Sequence, residues 1–500
     1  MLEKIKKWIK TREPSRLLFS GYLIYCLTGA IILSVPIFTL QSVDFLDNLF
    51  TAVSAVSTTG LTTIAISENY TFFGNFIILL LIQIGGLGYM TFGSFIILSS
   101  KKEISIERQN ILETSFSLPK DFKVTKFVRS IVIYTLVIEL IGAIFLFFIF
   151  WQDNRVNPLW SAIFHSVSSF CTAGFSLYGN SFENYSTNIT LNIVISVLSI
   201  LGAIGYIVMV DVWLIIRKKK NNITFTSKII LNFTVWLLII GTIFFFLNEH
   251  NLQKGVEGNE ILLSFFQSMT AITTVGFNTI PIDQIKQTSL LLLTLLMVIG
   301  SSPSGTGGGI KSTTVSSLWA LLKSVLNKYK EFIPYSHEAE FISDEQNTDK
   351  KRSIFDFAKR IFNLRKIASK KKNPDQESQK ELRLVLGNIF KIKLMHRIIP
   401  YERIIFAMCT FVFYILILFI GFYALLFTEN LDFSKLLFEA ASALGTVGLS
   451  TGITSTLSIA GKIIIIILMF IGRIGPITFG MALFYRSNRR KNEYIEDVVI

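Results

Sequence analysis

Apolar residues along this chain fall into unbroken blocks of two sizes. Eight blocks are long, at about 17–40, 72–99, 128–151, 190–215, 228–247, 289–322, 402–427 and 460–485. A hydrocarbon core of about 30 Å needs roughly 20 apolar residues in a helix, so each long block predicts a transmembrane span. Within each successive pair of spans lies a shorter apolar stretch, at 46–57, 159–171, 261–274 and 436–446. These are too short to cross and have the length of a re-entrant half-helix. Each ends in a small, hydroxyl-rich segment carrying one glycine: Gly60 in STTGLTT, Gly174 in CTAGFSL, Gly276 in TTVGFNT and Gly448 in GTVGLST. One helix later comes a second glycine mark, in IGGLGY (Gly85), LGAIGY (Gly202), IGSSPSG (Gly300) and IGRIGP (Gly472), at offsets of 24 to 28 residues.

A unit of span, half-helix, glycine loop and span therefore recurs four times, and such a repeat decides the architecture before local detail does. Two crossings per unit return the chain to its starting side, so all units share one orientation. The pattern predicts an all-α integral membrane fold, with four parallel repeats in pseudo-fourfold arrangement around a central pore. An inverted-repeat transporter would need an odd number of spans per unit. The layout is a cytoplasmic N-terminal tail (1–16), repeat 1 (17–100), repeat 2 (127–217), repeat 3 with a broken last helix (228–325), a basic cytoplasmic insertion (326–400), repeat 4 (401–486) and a cytoplasmic C-terminal tail (487–500).

Composition supports a membrane protein: 16% of residues are charged, against about 25% in soluble chains. The first apolar run lacks a convincing cleavage site and reads as a retained span rather than a signal peptide. Cys26, Cys171 and Cys409 form no CxxC pair, so neither a disulfide framework nor a zinc site is indicated. The net charge of +14 is distributed by side. Of 48 Lys and Arg, the side of the glycine loops receives Arg155, Lys254, Lys286, Lys435 and Lys462. The others concentrate in the tails, the loop 101–126, the run 217–220 and the stretch 323–400. By the positive-inside rule both termini are cytoplasmic and the glycine loops open outside. The basic charge is mostly this asymmetry, and nucleic acid is not an expected partner. The 326–400 insertion reads as a solvated linker, with docking to a partner or to anionic lipid as the sharper alternative.

Irregular backbone at membrane depth survives only where it is buried in protein or lines a watery cavity. Glycine at such a bend accepts positive φ, and carbonyl oxygens can then replace an ion's hydration shell. The C-terminal end of each half-helix adds negative potential at the midplane, favouring a cation. No carboxylate lies within the four loops. That fits a monovalent ion, because a divalent one usually calls for Asp or Glu. The stretch 299–314, IGSSPSGTGGGIKSTT, should break the sixth span and reads as a flexible plug beneath the loops. Its GTGGGIKS part approaches a phosphate-binding loop, but Ile310 stands where that motif requires glycine and no strand precedes it. Arg473, inside the eighth span, should face the pore or a partner group. Lys311 reads equally as lying at that depth or at the end of the broken helix. His165, Glu439, Glu139 and Asp211 read as hydrogen-bonded packing or loop-orienting residues, and no catalytic constellation is identifiable.

The loops TTGLT, TAGFS, TTVGFNT and GTVGLST, set in four such units, resemble the Trk/Ktr/HKT superfamily of potassium transporters. Most similar is its bacterial Ktr-type pore subunit, a group that includes proteins called subunit J of a sodium ATPase. The resemblance spans nearly the whole chain apart from the N-terminal tail and 326–400. It implies potassium uptake across the cell membrane through a selectivity filter formed by Gly60, Gly174, Gly276 and Gly448, with the carbonyls of Thr59, Ala173, Val275 and Val447 beside them. Glycine in all four loops resembles the potassium-selective branch. Ser304, Gly305, Thr306, Gly307, Gly308 and Gly309 match the family's intramembrane gating loop, although SSPSGTGGG departs from the usual pattern. Arg473 matches a positive residue that acts as an electrostatic barrier and partner of that loop, and Lys311 is grouped with it. The family further implies sodium as an activator, a homodimer, and nucleotide control through a cytoplasmic regulatory ring (KtrA/TrkA-like) binding NAD(H), ATP or ADP. This chain has no recognisable dinucleotide fold and no identifiable sodium site. Alternative readings are a sodium-conducting relative, an embedded enzyme, and a non-conducting membrane anchor of an ATPase. The last two would need a titratable cluster at one depth, and the spans offer only scattered candidates.

Overall fold

The computed structural model describes residues 14–88, 124–253, 259–332, 392–395 and 397–484. Repeat 1 comprises α1 (Pro14–Leu33), α2 (Phe45–Ser57) and α3 (Phe72–Leu87). Repeat 2 comprises α4 (Val124–Gln152), α5 (Pro158–Phe170), α6 (Ile189–Ile204) and α7 (Tyr206–Ile216). Repeat 3 comprises α8 (Phe225–Gln253), α9 (Glu260–Thr273), α10 (Gln287–Val298) and α11 (Ser312–Phe332). A two-stranded antiparallel hairpin, β1 (Lys393–Leu394) and β2 (Arg397–Ile398), precedes repeat 4. That repeat comprises α12 (Tyr401–Thr428), α13 (Phe433–Gly445), α14 (Ile459–Ile474) and α15 (Pro476–Phe484).

The first helix of each repeat (α1, α4, α8, α12) is long and apolar enough to cross a bilayer. The second spans behave differently from the straight helices that the blocks at 190–215 and 460–485 predict. The α6/α7 pair is bent by 100° and the α14/α15 pair by 97°. The hinges are Gly205 and Gly475, with φ of 93° and 90°, and Gly88, which ends α3, has φ of 79°. Such values are open to glycine because it lacks a Cβ. The block at 17–40 is shorter as a helix: α1 stops at Leu33, and Pro36 begins a single 3-10 turn. The boundary expected at 326 falls inside α11, which runs on to Phe332. Most of the insertion, the loop 101–126 up to residue 123, and nearly all of the N-terminal and the whole of the C-terminal tail lie outside the described residues.

Two compact units are present. The smaller, Thr314–Phe411, has its own small core of Ala320, Ile392, Ile399 and Ile404. The larger holds all four half-helices. These half-helices, α2, α5, α9 and α13, are 13, 13, 14 and 13 residues long. At 1.5 Å per residue they reach about two thirds of the way across a hydrocarbon core.

Packing arranges the repeats in a closed circle. Within repeats, α2 lies against α1 and α3, α5 against α4 and α6, α9 against α8 and α10, and α13 against α14. Across repeats, α3 meets α5, α6 meets α9, α10 meets α13, and α14 returns to α2. Small residues permit the tight internal contacts. A Cβ on Gly85, Gly202 or Gly472 would overlap the carbonyl of Val56, Phe170 or Leu444, four residues before the loop glycine in each case. In the third repeat the equivalent Gly300 packs against Gly308 and Gly309 instead, because the broken segment folds back there.

Candidate functional site

Each half-helix ends in the same backbone device. Thr58, Thr172, Thr274 and Thr446 adopt left-handed φ of 54°, 50°, 58° and 49°. The next amide then reaches back five residues: Thr59 N–H donates to Ser54 O at 2.9 Å, Ala173 to Ser168 at 2.8 Å, Val275 to Thr270 at 3.1 Å and Val447 to Ser442 at 2.8 Å. These Schellman-type bonds satisfy carbonyls that the helix end leaves open. The loop glycine follows, with φ of 96° at Gly60, 66° at Gly174, 85° at Gly276 and 94° at Gly448. In the first and fourth loops its amide donates to a half-helix hydroxyl, Gly60 to Ser54 Oγ and Gly448 to Ser442 Oγ, both at 3.1 Å.

The eight residues named from the sequence come together as a ring. A Cβ on Gly60 would strike the carbonyl of Ala173, one on Gly174 that of Val275, one on Gly276 that of Val447, and one on Gly448 that of Thr59. The sequence of neighbours closes on itself after four steps. Glycine is required twice over, by its φ and by the carbonyl of the adjoining loop. All four glycines face one cavity of about 370 Å³, whose wall also carries Glu183, Asn278, Asp283 and Ser450. Among the described residues no three His, Cys, Asp or Glu side chains come together to hold a metal. The oxygens that the adjoining loops bring to the ring are the carbonyls of Thr59, Ala173, Val275 and Val447.

Against the other side of the ring lies the segment between α10 and α11. Ser302 N–H and hydroxyl donate to Ala203 O at 3.2 and 2.6 Å, and Thr306 N–H donates to Gly202 O at 3.1 Å. Ser304 accepts from the first turn of α7: its carbonyl from Tyr206 N–H at 3.2 Å, its hydroxyl from Ile207 N–H at 3.3 Å. All four left-handed threonines touch this segment. Thr58 Oγ1 donates to Thr306 O at 3.4 Å, and Thr172 Oγ1 donates to Thr306 Oγ1 at 3.1 Å. Thr274 Oγ1 accepts from Gly308 N–H at 3.0 Å, and Thr446 Oγ1 lies where a Cβ on Gly308 would have to go. These threonines were not singled out from the sequence, although one stands two residues before every loop glycine.

The two cations converge on the same segment. The Arg473 guanidinium, in the last turn of α14, donates to the carbonyls of Thr306 and Gly85. Lys311 Nζ turns back to donate to Gly307 O at 2.7 Å. Ser304, Gly305, Thr306, Gly307, Gly308 and Gly309 thus share a site with Lys311 and Arg473 directly beneath the ring. Glu139 and Asp211 lie apart from it as bonded packing groups. Glu139 Oε1 accepts from Cys171 Sγ at 3.6 Å, and Asp211 receives Lys220 Nζ at 2.6 Å with the hydroxyls of Thr224 and Ser227.

The family model TrkH, described as a cation transport protein, matches residues 27–488. The Ktr system potassium uptake protein B of Bacillus subtilis is 31% identical over 95% of this chain and 94% of its own length. The potassium/sodium uptake protein NtpJ of Enterococcus hirae is 32% identical over 98% of this chain and 97% of its own. Among solved structures, the potassium transporter TrkH of Vibrio parahaemolyticus superposes with a TM-score of 0.65 at 16% identity, over 95% of this chain and 85% of that one.

Proposed function

The chain belongs to the TrkH family of cation transport proteins, and on that premise we propose that it carries potassium into the cell. The observation that carries this reading is the closed ring of four glycines, each against the carbonyl of the next loop. An ion entering from the glycine-loop side first meets the cavity bearing Glu183 and Asp283. It then exchanges water for the carbonyls of Thr59, Ala173, Val275 and Val447, as rings of carbonyls do in potassium filters. The four half-helices end at this level, and their negative ends favour a cation there. Passage onward requires the 304–309 segment to leave the base of the ring. Arg473 holds the segment by its Thr306 carbonyl and places a positive charge in the ion's path. Burying that charge costs about 2.5–3.5 kcal/mol at mid-membrane, and the two carbonyls it binds offset part of this.

The distribution of Lys and Arg supports both termini facing the cytoplasm. A homodimer served by a cytoplasmic nucleotide-binding ring (KtrA/TrkA-like) completes the proposal; in its favour, the Bacillus subtilis relative is named as part of a Ktr system. Sodium conduction is the second reading, favoured by the potassium/sodium name of the Enterococcus hirae relative. The test is rescue of a bacterium deficient in potassium uptake, with sodium and potassium fluxes measured separately. Gly276→Ser, which forces a side chain into Val447 O, should abolish rescue or erase preference between the two ions. Rescue and preference both unchanged would overturn the filter assignment.

A further inference from the structure

The inner arm of each loop is fixed by backbone bonds to its own half-helix, but the outgoing arm, after the glycine, is held by side chains. Nine residues before the ring glycines, on the same turn of all four half-helices, stand Thr51, His165, Gln267 and Glu439. All four are fully buried. Glu439 Oε2 accepts from Ser450 Oγ at 2.9 Å, and its Oε1 accepts from the Thr454 hydroxyl. Gln267 Nε2 donates to Thr279 Oγ1 at 3.1 Å. His165 lies 2.8 Å from Ser161 O through Nδ1, so that nitrogen carries the proton. Its Nε2 accepts from Leu177 N–H at 3.2 Å and from the Ser176 hydroxyl at 3.1 Å. The Thr51 hydroxyl makes no such bond. In that repeat Asp47, one turn earlier on α2, takes over and accepts from Thr63 Oγ1 at 2.7 Å.

Four matched backbones thus have braces of three different chemistries, two carboxylates, an imidazole and a carboxamide, each joining a half-helix to the arm that leaves the ring. A carbonyl ring discriminates between alkali ions only while its shape is maintained, since the smaller sodium ion gains most if the oxygens close in. We infer that Glu439, His165, Gln267 and Asp47 are positioning residues that set the preference for potassium over sodium by holding the outgoing arms in place. They touch no ion themselves. Glu439 does most, because each of its two carboxylate oxygens takes its own hydroxyl from one arm, whereas His165 accepts both its bonds at one nitrogen, and both donors, Ser450 and Thr454, line the cavity above the ring.

The inference rests on the proposed filter, and the experiment separates the two. The full chain is expressed in cells lacking potassium uptake, and the potassium-to-sodium uptake ratio is measured beside the amount of chain in the membrane. Glu439→Met, which keeps the length and removes both acceptors, should lower the ratio about tenfold, the scale of one to two lost buried hydrogen bonds. Ser450→Ala with Thr454→Val, which removes the same bonds from the loop side, should lower it equally. Glu439→Gln, retaining one acceptor, should fall between these and the unmodified chain, while Thr51→Val should leave the ratio within twofold. If Glu439→Met does not reach the membrane, the loop-side pair decides. An unchanged ratio in that pair, or a loss in Thr51→Val as large as in Glu439→Met, overturns the inference, provided that Gly276→Ser still alters the ratio. If Gly276→Ser leaves it unaltered as well, the filter reading has failed instead.

Discussion

Thr58, Thr172, Thr274 and Thr446 occupy a region of φ near 50° that costs an L-residue about 1–2 kcal/mol. Glycine there would relieve the strain but would carry no hydroxyl to the 304–309 segment. Their repetition in all four loops links the cost to that contact. The ring glycines were legible because each sits alone in a small, polar segment between apolar blocks. The threonines were not, since a hydroxyl before such a glycine is ordinary in any loop and only the backbone angle sets it apart. Glu183 has another reason for escaping notice: it lies outside every loop, yet it lines the cavity, where the Asn278 amide donates to it at 2.7 Å. Burial pushes the Glu183 carboxyl above the usual range; the Asn278 bond pulls part of the way back, and Asp283 adds a further push. As external pH falls, Glu183 therefore takes up a proton before an ordinary carboxylate would, and the cavity loses a negative charge. The KM for potassium should rise roughly threefold across that titration, with maximal uptake little changed. In Glu183→Gln the KM should be raised at every pH and its pH dependence flattened. Parallel KM profiles in the two proteins would show that Glu183 does not attract the ion.

In three of the four repeats the second helix carries two glycines, three residues apart, with separate tasks. In LGAIGY and IGRIGP the first (Gly202, Gly472) seats the helix on the half-helix, and the second, three residues on (Gly205, Gly475), turns the chain; in IGGLGY, Gly85 does the seating and Gly88, with φ of 79°, ends the helix. Only the first task was visible in the offsets between repeats. Hydropathy counts apolar residues along a line and does not register a change of direction, so the bent pairs read as straight spans. In the third repeat Pro303 takes the place of the second glycine, and the chain makes the 299–311 loop rather than a hinge. Its irregular composition made that loop easy to recognise, but its position under the ring depends on partners far away in sequence, Gly202, Ala203 and Arg473. If these contacts hold a barrier closed, removing residues 304–309 should raise potassium flux by at least about tenfold, since several bonds of about 1 kcal/mol each are lost. Isotope uptake into cells with matched amounts of protein measures this. Flux unchanged or lowered, with the protein present in the membrane, would mean that the segment is not the obstacle.

Parity of crossings was enough to predict parallel repeats, but the order in which they meet is decided by contacts that no local pattern encodes. The circle closes where the fourth repeat returns to the first, through α14 on α2 and Gly448 against Thr59 O. There Lys462 Nζ, in the first turn of α14, donates to Asp47 Oδ1 at 2.6 Å, the two side chains being 17% and 13% exposed. The same Asp47 oxygen holds Thr63 on the outgoing arm of the first loop. One carboxylate thus joins the two ends of the circle and steadies a quarter of the ring. A pair this sheltered lies between exposed salt bridges, worth about 0–1 kcal/mol, and buried ones, whose breaking costs about 3–5 kcal/mol. Lys462→Met should therefore cost about 1–3 kcal/mol, read as a lower temperature of aggregation for the purified protein in detergent. Because Asp47 keeps Thr63 but loses its cation, potassium-to-sodium preference should also weaken in this variant. Exchanging the residues, Asp47→Lys with Lys462→Asp, should recover thermal stability but not preference, because a lysine at 47 can no longer accept from Thr63. Recovery of both would place the role of Asp47 in closing the circle alone, and recovery of neither would show that the closure depends on packing between α14 and α2 rather than on this charge pair.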